Sequence, residues 1–212
     1  MELLHQLKFL LSVEGIQQII QWGGLLVLVA IVFSETGLLV GFFLPGDSLL
    51  VVSGFMASTT DILDIWQVIL ALSLAAIVGD SVGYAIGYRA GVALYNRPQS
   101  RWFRRDYLLK TKAFYEKYGG ITIVVARFMP FARTFAPTVA GIGQMDYPRF
   151  LFFNVFGGLG WVTSMSLLGY FFGQIPFVQK HIDKAILVII FLSVLPVAFH
   201  AWKAHREPAT EA

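Results

Sequence analysis

The chain has no cysteine among its 212 residues, so it holds no disulfide and no thiolate metal site. Charge is sparse as well. Asp, Glu, Lys and Arg fill 14% of positions against 57% hydrophobic residues, and mean hydropathy is +0.68. That balance indicates an integral membrane protein of a single domain. Histidine is scarce, and His5, His181, His200 and His205 fall at segment edges or in the tail, where none is placed for acid–base catalysis. Residues 1–15 offer neither a basic start nor a small-x-small cleavage pattern, so no signal peptide is expected there.

What charge there is lies unevenly. Eight of the sixteen Lys and Arg residues fall between Arg89 and Lys117, a topology signal and not a nucleic-acid footprint. By the positive-inside rule residues 89–118 form a cytoplasmic loop, and residues 58–64, with two aspartates and no base, are external. The span between them is residues 65–88, interrupted only by Asp80. Residues 150–173 and 185–202 are further uncharged runs near the roughly 20 residues that cross about 30 Å of hydrocarbon. Residues 203–212 follow as a cytoplasmic tail. Leu3, Leu4, Leu7, Leu10 and Leu11 share one helical face, which marks residues 1–20 as an interfacial helix. Tyr107, Phe114, Tyr115 and Tyr118 form a similar apolar side within the basic loop.

Two apolar stretches resist a simple reading. Residues 21–57 are too long for one span and are broken by Glu35, Gly37, Gly41 and the run Leu44-Pro45-Gly46-Asp47-Ser48. Residues 120–143 carry Arg127, Pro130, Arg133 and Pro137. A guanidinium at bilayer depth costs from about 2.5 to more than 10 kcal/mol unless protein, water or an anion satisfies it. Proline deletes a backbone donor and turns the preceding residue away from helix. Both stretches therefore read as re-entrant segments of broken helix lining a polar cavity. Each precedes a span, and the spans run in opposite senses, so the halves are related as an inverted repeat. The expected fold is an all-α polytopic membrane protein, with two opposed re-entrant hairpins, about three full transmembrane helices and interfacial amphipathic helices.

The broken segments divide by sign. Arg127 and Arg133 can converge on one anion, and phosphate suits their bidentate forks. Glu35 and Asp47 either balance those charges or take up and release protons. A plain ion-pair network of the four that holds the hairpins together is the structural alternative. Asp80 sits among Gly79, Ser81, Gly83 and Gly87, whose small side chains permit close helix packing. It reads either as a proton site or as a buried charge hydrogen-bonded near the hairpins, and Asn154 as an interhelical hydrogen-bonding group. Interface anchoring or packing accounts for Trp22, Trp66, Trp161 and Trp202.

Glu35, the run Phe43-Leu44-Pro45-Gly46-Asp47-Ser48, Arg127-x-x-Pro130-x-x-Arg133 and Ala140-Gly141 together resemble the DedA family of membrane proteins. The resemblance extends over most of the chain, although an aromatic often precedes the first arginine by four residues where this chain has Ile123. It implies an essential acidic pair, Glu35 and Asp47, and an essential basic pair, Arg127 and Arg133. Pro45, Gly46, Pro130, Pro137 and Gly141 would shape the hairpins. It further implies a place in the bacterial cytoplasmic (inner) membrane and a core related to eukaryotic lipid scramblases. The expected function is proton-coupled transport of a polyprenyl (undecaprenyl) phosphate carrier for envelope synthesis. No cofactor or metal is expected, the partners are the lipid, protons and the bilayer, and a homo-oligomer is compatible with the sequence. A proton-coupled cation or drug antiporter is the alternative. A lipid phosphatase would need a nucleophile and an acid–base group, commonly histidine, and none accompanies the arginines, so no enzyme is expected.

Overall fold

In the computed structural model, residues 13–38, 46–95, 111, 113, 115 and 117–180 are described. Among them every regular element is an α-helix: α1 (Val13–Gly37), α2 (Gly46–Thr59), α3 (Ile65–Tyr95), α4 (Ile121–Arg127), α5 (Pro130–Ile142), α6 (Tyr147–Gly173) and α7 (Pro176–Lys180). The first part of the expected interfacial helix, the tip of the first broken segment with Pro45, most of the basic loop, the span at 185–202 and the tail at 203–212 lie outside the described residues.

The chain divides into two compact units. One comprises residues 25–44 and 66–164, and so holds the later part of α1, nearly all of α3, α4, α5 and the larger part of α6. The other comprises residues 1–24, 45–65 and 165–212 and holds α2, the end of α6 and α7.

Two helices are long and apolar enough to cross a membrane, Ile65–Ala93 within α3 and Tyr147–Gly173. At 1.5 Å per residue each is about 40 Å long or more, beyond the roughly 30 Å of hydrocarbon. Their outward faces are apolar. On α3, Trp66, Leu70, Leu74 and Val78 recur every fourth residue and are all more than half exposed, a stripe suited to lipid and not to water. The opposite stripe, Val68, Leu72, Ala76, Asp80 and Tyr84, is buried. A polar residue thus enters the interior in phase with the apolar ones.

Within the larger unit the glycines of α3 decide the packing. A Cβ at Gly79 would strike the Thr36 hydroxyl of α1, and one at Gly87 would strike the Thr138 carbonyl of α5. From the other side, a Cβ on Gly141 would strike the Tyr84 carbonyl and stand 2.6 Å from the Tyr88 nitrogen. The small-residue stripe read from the sequence is therefore a contact between backbones, although Ser81 instead donates to the Ile77 carbonyl within α3 at 2.8 Å. In the smaller unit Gly54 of α2 meets the Ser166 carbonyl and Gly169 meets that of Val51 in the same way.

Several boundaries differ from the expected ones. α3 runs past residue 88 to Tyr95, because Arg89 to Tyr95 contains no proline and a terminal arginine can carry its charge toward the interface. The described part of the basic segment, residues 89–95, 111, 113, 115, 117 and 118, is helical and not a loop. α6 starts at Tyr147 because the Asp146 carboxylate accepts the Arg149 N–H at 3.4 Å, a side-chain cap, and Pro148 is tolerated in a first turn. α1 is kinked at Gly24, whose φ of 52° lies in the left-handed region open to glycine, three residues after the expected start of the first broken segment.

Candidate functional site

The second broken segment breaks where proline demands it. Met129 is extended (φ −110°, ψ 114°) because Pro130 follows, and Pro130 starts α5, where its missing N–H costs nothing. The break leaves Arg127 in the last turn of α4 and Arg133 near the start of α5. Pro137, inside α5, removes the donor that a regular helix would send to the Arg133 carbonyl.

Arg127 is 4% exposed. Its Nη2 donates to Oδ2 of Asp80 on α3 and to Oδ1 of Asn154 on α6. Asn154 is fixed in turn, since its Nδ2 donates to the Ile77 carbonyl at 3.0 Å. Arg133 donates through Nη2 to Oε1 of Glu35 at 2.7 Å, and its guanidinium carbon lies 4.9 Å from the centre of the Trp161 ring. Glu35, Asp80 and Trp161 are each buried. Two arginines and two carboxylates leave the cluster at net zero charge, the condition under which ions survive burial.

These groups surround one small cavity lined by Glu35, Thr36, Asp80, Arg127, Arg133, Thr134 and Trp161. Its volume, as the space open to the centre of a water-sized sphere, is only about 10 Å³. That is room for about one water molecule. An anion the size of phosphate enters only if a carboxylate or a guanidinium moves.

Of the residues expected to matter, Arg127, Arg133 and Glu35 come together here. The carboxylate that meets Arg127 is Asp80, which is buried beside the second broken segment. Asp47 belongs to the smaller unit, in the first turn of α2, where a negative charge suits the helix dipole. Gly46 opens that helix and is buried. Gly141 lies within α5 at its crossing with α3 and not at a turn. Thr36, Thr134, Trp161, Gly157 and Gly158 were not singled out as site residues from the sequence. The available signal is their spacing with Asn154: residues 154, 157, 158 and 161 fall on one helical face.

A larger cavity of about 600 Å³ lies in the same unit, lined by Tyr84, Tyr88, Arg89, Asp146 and Tyr147 among others. Its floor is fixed by Tyr84, whose hydroxyl donates to the Met145 carbonyl and whose ring stacks on Phe150 at 4.6 Å. Nearby, Tyr115 donates to the Ala136 carbonyl at 3.2 Å, and burial pushes its phenol up to about 12, so it remains a donor at neutral pH. Among the described residues no three His, Cys, Asp or Glu side chains cluster as metal ligands would.

Comparison with known proteins bears on this arrangement. The VTT domain family matches residues 44–171. The chain is 49% identical over 187 residues to Protein DedA of Escherichia coli, covering 88% of this chain and 85% of that one. It is 43% identical over 182 residues to a membrane protein of Mycobacterium leprae, covering 86% and 81%. It is 37% identical over 175 residues to the inner membrane protein YghB of Salmonella typhimurium, covering 81% and 77%. No solved structure matches the chain.

Proposed function

Because the chain belongs to the DedA family of VTT-domain membrane proteins, we propose that it transports a polyprenyl phosphate carrier lipid across the bacterial inner membrane in exchange with protons bound at its acidic residues. One observation carries the reading: a buried arginine, Arg127, and a partly buried one, Arg133, converge on a single water-sized cavity, each facing its own carboxylate. Arginine forks match phosphate oxygens, and the carboxylates already there compete for the same donors. Protonation of a carboxylate removes its claim on the guanidinium and opens a place for the phosphate. The polyprenyl chain stays in lipid beside the apolar faces of α3 and α6.

Glu35 is the proton acceptor at the cavity, and Asp47 at the head of α2 is the second acidic position of the cycle. The two broken segments act as re-entrant hairpins of an inverted repeat, and alternating access exposes the arginines to each side in turn. A cation-exchange site is the weaker reading, because both carboxylates that face the cavity already neutralise an arginine.

The test is movement of a polyprenyl phosphate in proteoliposomes. Arg127→Ala and Arg133→Ala should each abolish it, and Lys at either position should restore little, since the bidentate fork is lost. An inward proton gradient should accelerate it, and Glu35→Gln or Asp47→Asn should remove that dependence. Unchanged lipid movement in either alanine variant would refute the role given to that arginine.

A further inference from the structure

The two cavities lie along the same pair of helices, one turn apart. On α3 Tyr84 stands four residues after Asp80, and on α6 Phe150 stands four residues before Asn154, a step of about 6 Å along each helix. Asp80 and Asn154 meet Arg127, whereas Tyr84, stacked on Phe150, lines the larger cavity. Both rings are buried. One turn of each helix, filled by this aromatic pair, therefore stands between the larger cavity and the Arg127 cluster.

At about 600 Å³ the larger cavity has the size of a site for a small organic ligand. Its lining is mixed. Ala85 and the rings of Tyr88 and Tyr147 supply apolar wall, while Arg89 and Gln144 supply hydrogen-bond donors. Arg89 forms an ion pair with no described residue. Asp146 is the carboxylate of that lining, and its Oδ2 accepts from the Arg149 N–H at 3.4 Å.

Gln144 occupies a position where glycine is usual. α5 ends in a Schellman turn, in which the Met145 N–H donates to the Ala140 carbonyl at 3.0 Å and the Gln144 N–H to the Gly141 carbonyl at 2.9 Å. The central residue of that turn must be left-handed, and Gln144 has a φ of 55°, the only positive value outside glycine among the described residues. A side chain there strains the turn. The Gln144 amide hydrogen-bonds no described residue and lines the cavity. The turn gains nothing from it, and a ligand in the cavity would.

We propose, resting on the phosphate-transport reading above, that the larger cavity is an outer binding site for an isoprenoid monophosphate. Arg89 and the Gln144 amide take the phosphate, and Ala85 with the tyrosine rings takes the first units of the chain. From there the phosphate passes the Tyr84–Phe150 layer to reach Arg127. Size favours this ligand over free phosphate, which would leave most of the cavity unfilled. The negative charge of Asp146 offsets that of Arg89, so the site holds an anion firmly enough to admit it and weakly enough to pass it on.

Because the chain lacks cysteine, one placed in the cavity reports on its occupant. In nanodiscs, farnesyl phosphate should slow maleimide modification of Ala85→Cys and leave that of Asp61→Cys unchanged. Farnesol and inorganic phosphate at the same concentration should protect far less. Adding Arg89→Gln should raise the farnesyl phosphate concentration needed for protection by about tenfold, the scale of one hydrogen bond to a charged group. Gln144→Gly separates binding from folding. With glycine at that φ the unfolding temperature should hold or rise, while protection of Ala85→Cys should need about threefold more farnesyl phosphate, the scale of a neutral hydrogen bond.

Failure of farnesyl phosphate to protect Ala85→Cys overturns the outer site, and so does protection that Arg89→Gln and Gln144→Gly both leave intact. Equal protection by inorganic phosphate overturns the lipid as its ligand, and equal protection by farnesol overturns the role of Arg89 and Gln144. Protection that depends on both residues, in a protein whose proteoliposomes move no polyprenyl phosphate, supports the site and overturns the transport reading instead.

Discussion

Asp80 is the residue whose removal should hurt most. It is 2% exposed and supplies the only carboxylate in hydrogen-bonding contact with Arg127 among the described residues. Asp80→Ala leaves a buried guanidinium uncompensated, which costs about 3–5 kcal/mol. Removing both partners leaves no orphaned charge. The double variant Asp80→Ala with Arg127→Ala should therefore be more stable than Asp80→Ala alone, although transport is lost in both, and thermal unfolding in detergent measures the order. A double variant less stable than the single one would mean that the pair is not the unit of stability. The arginines and Glu35 could be found from the sequence because charge in an apolar stretch is conspicuous. Trp161 could not, because a tryptophan in a span reads equally well as an interface anchor, and only the fold puts its face under Arg133.

At the scale of the helix, glycine contacts separate packing from permissiveness. Gly141 of α5 lies against the α3 backbone at Tyr84 and Tyr88, whereas nothing lies within 4 Å of a Cβ built on Gly160. Gly141→Val must push α5 off α3 and carry the start of α5, with Arg133, away from the cavity. It should lower the unfolding temperature and the transport rate together. Gly160→Ala should leave both nearly unchanged, since Ala is the better helix former by up to about 1 kcal/mol. Equal effects of the two substitutions would mean that the α3–α5 approach does not hold the site. The elements themselves were legible to different degrees for physical reasons. The break before Pro130 was visible because proline constrains its own backbone and that of its neighbour. α6 starts three residues before the uncharged run at 150–173, since that run excludes Arg149 while Asp146 caps a first turn that tolerates Pro148. α3 continues past residue 88 because Arg89, which reads as loop charge in the sequence, is well tolerated at a helix end.

Sidedness belongs to the whole molecule, and the absence of cysteine makes it accessible to single-cysteine labelling. The positive-inside rule predicts residues 58–64 outside and residues 89–118 in the cytoplasm. If residues 120–143 dip in and return, the chain before them and the chain after them lie on the same side. Lys117 and Asp146 are both exposed and flank that segment. In whole cells Asp61→Cys should react with a membrane-impermeant maleimide, while Lys117→Cys and Asp146→Cys should both stay unlabelled until the membrane is opened. Labelling of Asp146→Cys in intact cells with Lys117→Cys still protected would mean that the segment crosses, and would remove the inverted repeat with it. Because Asp146 also caps α6, the neighbouring Gln144→Cys gives the same comparison without loss of the cap. A shared cytoplasmic side would put the break between α4 and α5 at the inner turn of a hairpin. The two arginines would then reach the lipid interior on backbone that returns to its own side, as alternating access between two such hairpins requires.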